Sequence, residues 1–146
     1  MRKSLSEKTT PLIAAVLSLT LAAAAIADQS GSQSLYKHAT AIYAPYGKTI
    51  TSATIYGLMY GVAIFNTLLW LLVLALARTP RLIATTTAAL AVALTATTAL
   101  TLLLVTEYGA HPFPPLWGIL ALLPTAAGAY AVAKLARPRQ NQPVAR

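Results

Sequence analysis

The chain has 146 residues, of which 57% are hydrophobic and 10% are charged. This apolar fraction is far above that of a soluble domain and indicates that much of the surface contacts lipid. The absence of cysteine excludes disulfide bonds, thiolate metal sites and thiol redox chemistry. The net charge of +8 does not indicate nucleic acid binding, because the basic residues stand at the ends of apolar runs and form no patch with aromatic residues.

Four stretches are apolar enough to cross a bilayer, for which about 20 residues are needed. They cover residues 11–27, 53–77, 82–106 and 115–136, and the last three contain no acidic residue. We therefore expect an all-α protein, an integral membrane four-helix bundle. Its single membrane domain would cover residues 11–136, between a short N-terminus, 1–10, and a polar tail, 137–146.

The first stretch also has the layout of a cleavable signal peptide. Basic residues precede its apolar run, and Ala25-Ile26-Ala27 before Asp28 fits an A-x-A cleavage site. We expect this helix to be retained. Cleavage would leave three spans with the mature N-terminus outside, and the later spans would keep the same orientation.

Residues 28–52 form the one sizeable segment between predicted spans. Its start is polar and typical of a linker, whereas residues 36–47, YKHATAIYAPYG, carry aromatic and β-branched side chains. We expect this part to lie along the membrane surface or to form a short hairpin. The sequence Arg78-Thr79-Pro80-Arg81 is too short for anything but a tight turn, so the second and third spans are predicted to form an antiparallel hairpin.

The positions of lysine and arginine predict the orientation, since short cytoplasmic connections carry an excess of both. One side of the predicted membrane has Arg2, Lys3, Lys8, Arg78, Arg81, Lys134, Arg137, Arg139 and Arg146. Lys37 and Lys48 fall on the other side, so we expect both termini to be cytoplasmic. Tyrosine, phenylalanine and tryptophan gather at the outer boundary, where amphipathic rings prefer to lie. The basic tail is expected to be disordered near anionic headgroups.

The second span carries two glycines one turn apart. Gly57 and Gly61 form a small-xxx-small groove, which lets another helix backbone approach closely. We interpret this groove as a packing site within the monomer, and a homodimer or partner-protein face is the alternative. Asn66, nine residues after Gly57, lies on the opposite face of the same helix. Both faces of this helix therefore carry residues that suit contact with another helix.

Several polar or helix-breaking residues fall at similar depth. We estimate the depth of each residue from the helical rise per residue, counted from both ends of its span. The residues near the bilayer midplane are then Asn66, Thr97, Thr98, Pro124 and Thr125, with Ser18 and Thr20 if the first helix is retained. We interpret Asn66 as a hydrogen-bond partner of a threonine on the third span, and a site for a neutral solute is the alternative. The third span has small side chains on every face, and the second has residues suited to packing on two faces. Both are therefore expected to pack against several helices, at the centre of the bundle. An ion-coupled carrier is disfavoured, because the spans contain no carboxylate or histidine and Lys134 lies only at the inner edge of the fourth.

Four titratable residues map to the outer side, namely Asp28, His38, Glu107 and His111. They are expected to be solvated at the interface, because no helical ligand spacing such as H-x-x-x-H supports the alternative of a metal site. No nucleophile is paired with a base, and neither a nucleophile elbow nor a phosphate-binding loop is present. We expect no enzyme activity and no cofactor.

These observations favour a structural, accessory or regulatory membrane protein that packs on itself or on a membrane partner within the lipid bilayer. Its candidate helix-packing residues are Gly57, Gly61, Asn66, Thr97, Thr98 and Pro124. A small transporter or pore for a neutral solute is the alternative. The alanine-rich and threonine-rich composition, with little lysine, favours a bacterial inner membrane.

Overall fold

Four long helices form a bundle, and a shorter helix lies at one of its ends. The structure is a computed structural model that describes residues 2–136, and the side chains of residues 9–133. In chain order the elements are α1 (Arg2–Ser30), α2 (Ser34–Tyr43), a 3-10 turn (Ala44–Tyr46), α3 (Ser52–Leu76), α4 (Arg81–Leu104) and α5 (Pro115–Ala136). The predicted disordered tail, 137–146, lies outside the described residues.

The four predicted spans are confirmed. Residues Thr9–Ser30 of α1, all of α3 and α4, and residues Pro115–Ala133 of α5 are each long and apolar enough to cross a bilayer, as in a multi-pass membrane protein. The first helix runs past the predicted end at residue 27, because a drop in hydropathy does not stop a helix. The first residue that favours a break is Gly31, directly after its last turn.

The long helices are antiparallel neighbours in a ring. α1 packs on α3 and α5, and α4 packs extensively on α5 and less on α3. The expectation that the second and third spans form the centre is wrong, since each long helix has two neighbours and leaves its remaining surface for lipid. Small side chains all round a helix permit contact on every face but do not require it, because facing lipid costs them little.

Two hydrophobic clusters fill the interior of this ring. The loop-end cluster lies next to α2 and includes Leu21, Met59, Ala99, Trp117 and Ala121. The turn-end cluster lies nearer the connection between α3 and α4, and its buried members are Ala14, Ala15, Trp70, Val73, Ala88 and Ala91. Most members of the turn-end cluster are alanines, so Trp70 supplies much of the volume there.

The segment between the first two spans contains a helix, so of the two alternatives for residues 36–47 the hairpin is wrong. Leu35 and Ala39, four residues apart on α2, are both buried against the bundle, whereas Lys37 and His38 are exposed. This one-sided burial is what an amphipathic helix at a surface requires. The chain then turns at Gly47, whose φ of 64° is the left-handed conformation that glycine adopts without strain.

The predicted hairpin of the second and third spans is confirmed. Both the backbone N–H and the hydroxyl of Thr79 donate to the carbonyl oxygen of Leu76, at 3.0 and 2.7 Å. These bonds satisfy the end of α3, and Pro80 then directs the chain into α4.

Candidate functional site

A layer of polar side chains separates the two hydrophobic clusters. Among the described side chains, the buried polar ones are Ser18, Asn66 and Thr95, exposed by 2%, 1% and 0%. Thr125 of α5 is half-buried and donates from its hydroxyl to Oγ1 of Thr95 at 3.0 Å. Each long helix therefore contributes one polar residue at the depth where it passes from one cluster to the other.

Most hydroxyls of this layer are satisfied within their own helices. Ser18 donates to the carbonyl oxygen of Ala14 and Thr95 to that of Ala91, both at 2.9 Å. By contrast, Oδ1 of Asn66 is buried and has no hydrogen-bond partner. The predicted bond between Asn66 and a threonine of the third span is therefore not formed through this oxygen.

Thr97 is exposed and Thr98 is half-buried, and both bond within their own helix. Their hydroxyls donate to the carbonyl oxygens of Ala93 and Leu94, four residues earlier, at 2.9 and 2.8 Å. A threonine in a membrane helix can satisfy itself in this way wherever it points. Thr97 is exposed, so its predicted role in packing between helices is wrong within the monomer, and the interhelical bond is made by Thr95 instead.

Thr95 is the layer residue that the sequence reasoning missed. The signal that marks it is the spacing of three or four residues among the buried positions of α4, which are Ala88, Ala91, Thr95, Ala99 and Leu102. Because α4 has small residues on every side, the sequence alone does not show which face is buried.

Trp70 connects α3 to α5 across the ring. It is fully buried one turn after Asn66, and a Cβ added to Gly128 would lie 1.9 Å from the Cη2 atom of its indole. Its Nε1 is also buried and has no hydrogen-bond partner. Pro124, one turn before Gly128, is buried as well, and because it has no N–H the carbonyl of Leu120 loses its α-helical donor.

Gly57 and Gly61 lie on the opposite face of α3, outside the ring. A Cβ added to either glycine would meet no atom within 4 Å, and the neighbouring Ile64 and Leu68 are 58% and 60% exposed. The predicted packing of these glycines within the monomer is wrong. Only one face of α3 turns inward, and it is the face that carries Asn66, Met59, Ala63 and Trp70.

At the loop end, Asp28 joins three helices. Its Oδ1 accepts hydrogen bonds from the hydroxyls of Ser32 and Ser34 and from the backbone N–H of Ser34, at 2.6, 2.7 and 2.9 Å. Its Oδ2 accepts from the backbone N–H of Leu35 at 2.9 Å and from the Tyr56 hydroxyl at 2.6 Å. This carboxylate at the end of α1 therefore caps α2 and holds it to α3.

Tyrosines connect the two loops of this end. The Tyr43 hydroxyl donates to Oε2 of Glu107, and this hydrogen bond, with some burial, raises the pKa of Tyr43 to about 12, so the phenol keeps its proton at neutral pH. Tyr46 stacks on Tyr108 with ring centroids 4.2 Å apart, and Tyr43 meets Tyr108 edge-on at 5.8 Å. The two loops are therefore ordered against each other.

Tyr108 adopts an unusual backbone conformation to reach this stack. Tyr108 and Gly109 have φ values of 53° and 78°, within a two-residue turn closed by bonds of 2.8 and 3.0 Å between Glu107 and Ala110. Such a turn needs positive φ at both central residues, which a bulky residue rarely adopts. The aromatic contacts hold Tyr108 in this conformation.

The two histidines are exposed, as expected, and they also join the loops. Nε2 of His38 lies 2.9 Å from the carbonyl oxygen of His111, and Nδ1 of His111 lies 3.1 Å from that of Val105. A ring N–H donates in each case. Within residues 9–133, no three His, Asp or Glu side chains are close enough together to hold a metal ion.

The described bundle thus has two candidate functional sites. One is the polar layer in the interior, and the other is the outward-facing glycine groove of α3. The first has an unpaired acceptor on Asn66 and an unpaired donor on Trp70, and the second has open space above two glycines. No family model, curated protein or solved structure matches the chain, so its function must be inferred from this geometry.

Proposed function

We propose that this chain is a helix-packing membrane protein with a structural, accessory or regulatory role, and that the glycine groove of α3 binds a transmembrane helix of a second copy or of a partner. The observation that carries the proposal is the open space above Gly57 and Gly61. Glycine is among the poorest helix formers, and nothing in the described fold needs one at either position. A groove that the monomer leaves unused is explained by contact with another helix.

The shape of this face supports the proposal. Ala53, Gly57 and Gly61 follow one another at intervals of four and are all exposed, so the α3 backbone is accessible over two turns. Backbones can approach closely along such a stripe, which permits van der Waals contact over a large area. Ile64 and Leu68 continue the same face and supply apolar area beside the groove.

Substituting isoleucine at Gly57 or Gly61 is expected to abolish self-association without unfolding the monomer, because a β-branched side chain blocks backbone approach but meets no atom of its own chain. Energy transfer between copies carrying donor and acceptor dyes, in lipid vesicles, measures association. Leu100→Ile, on an exposed position of α4, is the matched control.

Each outcome of that experiment has a distinct meaning. Energy transfer in the wild type that both glycine variants lose supports a second copy as the occupant. If the wild type shows no transfer, affinity purification in mild detergent should recover a stoichiometric membrane partner that the glycine variants lose. Purification of wild type and variants with the same composition would mean that the groove faces lipid.

For localisation we propose the plasma membrane of a bacterium, with both termini in the cytoplasm. The support is the distribution of lysine and arginine among the connections. A fluorescent protein fused after Arg146 should fluoresce, and a phosphatase inserted after Lys48 should be active. The reverse pattern of the two reporters would overturn this orientation.

A pore for a neutral solute is the second candidate. The unpaired Oδ1 of Asn66 inside the polar layer favours it. Against it, the indole of Trp70 fills the space beside Gly128, so a solute would need α3 and α5 to separate. Glycerol uptake by vesicles that hold the chain, lost on Asn66→Leu, would favour the pore over the packing role.

A further inference from the structure

An unpaired acceptor and an unpaired donor lie a turn apart on the same face of α3. Oδ1 of Asn66 and Nε1 of Trp70 are both buried without a partner, and the two residues are 1% and 0% exposed. Each such group costs several kcal/mol in a hydrocarbon environment, where no solvent replaces the lost bond. An unpaired acceptor and an unpaired donor on successive turns of one helix face can be served by the same hydrogen-bonding molecule.

The neighbouring hydroxyl groups make no hydrogen bond to either atom of this pair. The hydroxyls of Ser18 and Thr95 donate to their own helix carbonyls, and that of Thr125 donates to Thr95. Their protons are thus committed elsewhere, and none reaches Oδ1 of Asn66. These hydroxyls therefore supply no donor to Oδ1 of Asn66.

We infer that one water molecule binds between the Asn66 carboxamide and the Trp70 indole. Side chains four residues apart on a helix have Cβ atoms roughly 5–6 Å apart, a gap that one molecule can bridge with two hydrogen bonds. Water can donate to Oδ1 of Asn66 and accept from the indole N–H of Trp70.

The surroundings hold this water in place. The loop-end cluster closes the layer on one side, and the turn-end cluster, with Trp70 against Gly128, closes it on the other. Buried waters make roughly two to four hydrogen bonds and belong to the fold. The site lies where Trp70 of α3 meets Gly128 of α5, two helices that make little other contact.

Nuclear magnetic resonance of the full chain in lipid bilayers, with ¹⁵N-labelled tryptophan, tests this inference. The two indole signals are assigned with Trp117→Phe, and magnetisation transfer from water protons to each indole N–H is recorded. We expect a water cross-peak at the Trp70 indole of the wild type. It should be lost on Asn66→Leu and retained on Thr97→Val, a substitution at the same depth on the exposed face of α4.

A wild-type Trp70 signal without a water cross-peak would overturn the inference, including the case in which the indole bonds directly to Asn66. This arm does not depend on whether any variant folds. A cross-peak that survives Asn66→Leu would also overturn it, since the water would then be held by other groups. Neither result bears on association through the glycine groove, which lies on the opposite face.

Discussion

Replacing Gly128 with alanine is expected to destabilise the bundle by about 1–3 kcal/mol, the usual cost of inserting a methyl group into a filled core. The new Cβ would lie 1.9 Å from Cη2 and 2.4 Å from Cζ2 of Trp70. An indole is rigid and this one is fully buried, so it cannot turn away as a flexible side chain would. Thermal unfolding in detergent, followed by loss of monodisperse protein, measures the effect.

Two controls make this prediction specific. Gly57→Ala adds the same methyl group to an open surface, so we expect it to leave stability unchanged or slightly higher. Trp70→Phe shortens the aromatic side chain, so in combination with Gly128→Ala it should cost less than the sum of the two single changes. Equal stability of Gly57→Ala and Gly128→Ala would show that α3 and α5 do not meet as described.

Replacing Asp28 with alanine is expected to release α2 from the bundle and to cost about 3 kcal/mol, from a lost helix cap and a lost charge-assisted bond to a buried phenol. The carboxylate accepts the bonds that orient Ser34 and Leu35 at the start of α2. Its removal also leaves the Tyr56 hydroxyl without its acceptor. Hydrogen exchange of the α2 amides should rise towards the rate of an unstructured segment.

Smaller substitutions at the same place separate these contributions. Tyr56→Phe removes the bond to α3 but leaves the cap, so α2 should stay protected while overall stability falls. Ser32→Ala removes one exposed bond and should change little. Unaltered exchange in α2 after Asp28→Ala would mean that the burial of Leu35 and Ala39 and the bonds of α2 to the other loop suffice to hold this helix.

Retention of the first helix stays a prediction, and the packing gives a physical reason to expect it. Ala14, Ser18, Leu21 and Ala25 all lie in the bundle interior. Asp28, directly after the A-x-A sequence, makes its contacts as the continuation of this helix. Cleavage after Ala27 would remove the α1 interfaces with both α3 and α5.

The sequence was sufficient to predict the helices, because the length of an apolar run is set by the thickness of the bilayer and is read without reference to other helices. The bounds of α3, α4 and α5 follow from hydropathy, the Arg78–Arg81 turn and the prolines that precede α5. The face of α3 that carries Asn66, Met59, Ala63 and Trp70 could be listed from the helical period alone.

Which faces meet was decided only by the tertiary structure. Both faces of α3 have features that suit packing, and in lipid no difference in polarity forces one of them inward, as water would in a soluble protein. The bulk of Trp70, accommodated by Gly128 of a helix distant in sequence, requires the Asn66 face to turn inward, and Gly57 and Gly61 are left outside. Oδ1 of Asn66 receives no hydrogen bond from the threonines of α4, because each of these hydroxyls donates to a carbonyl oxygen of its own helix.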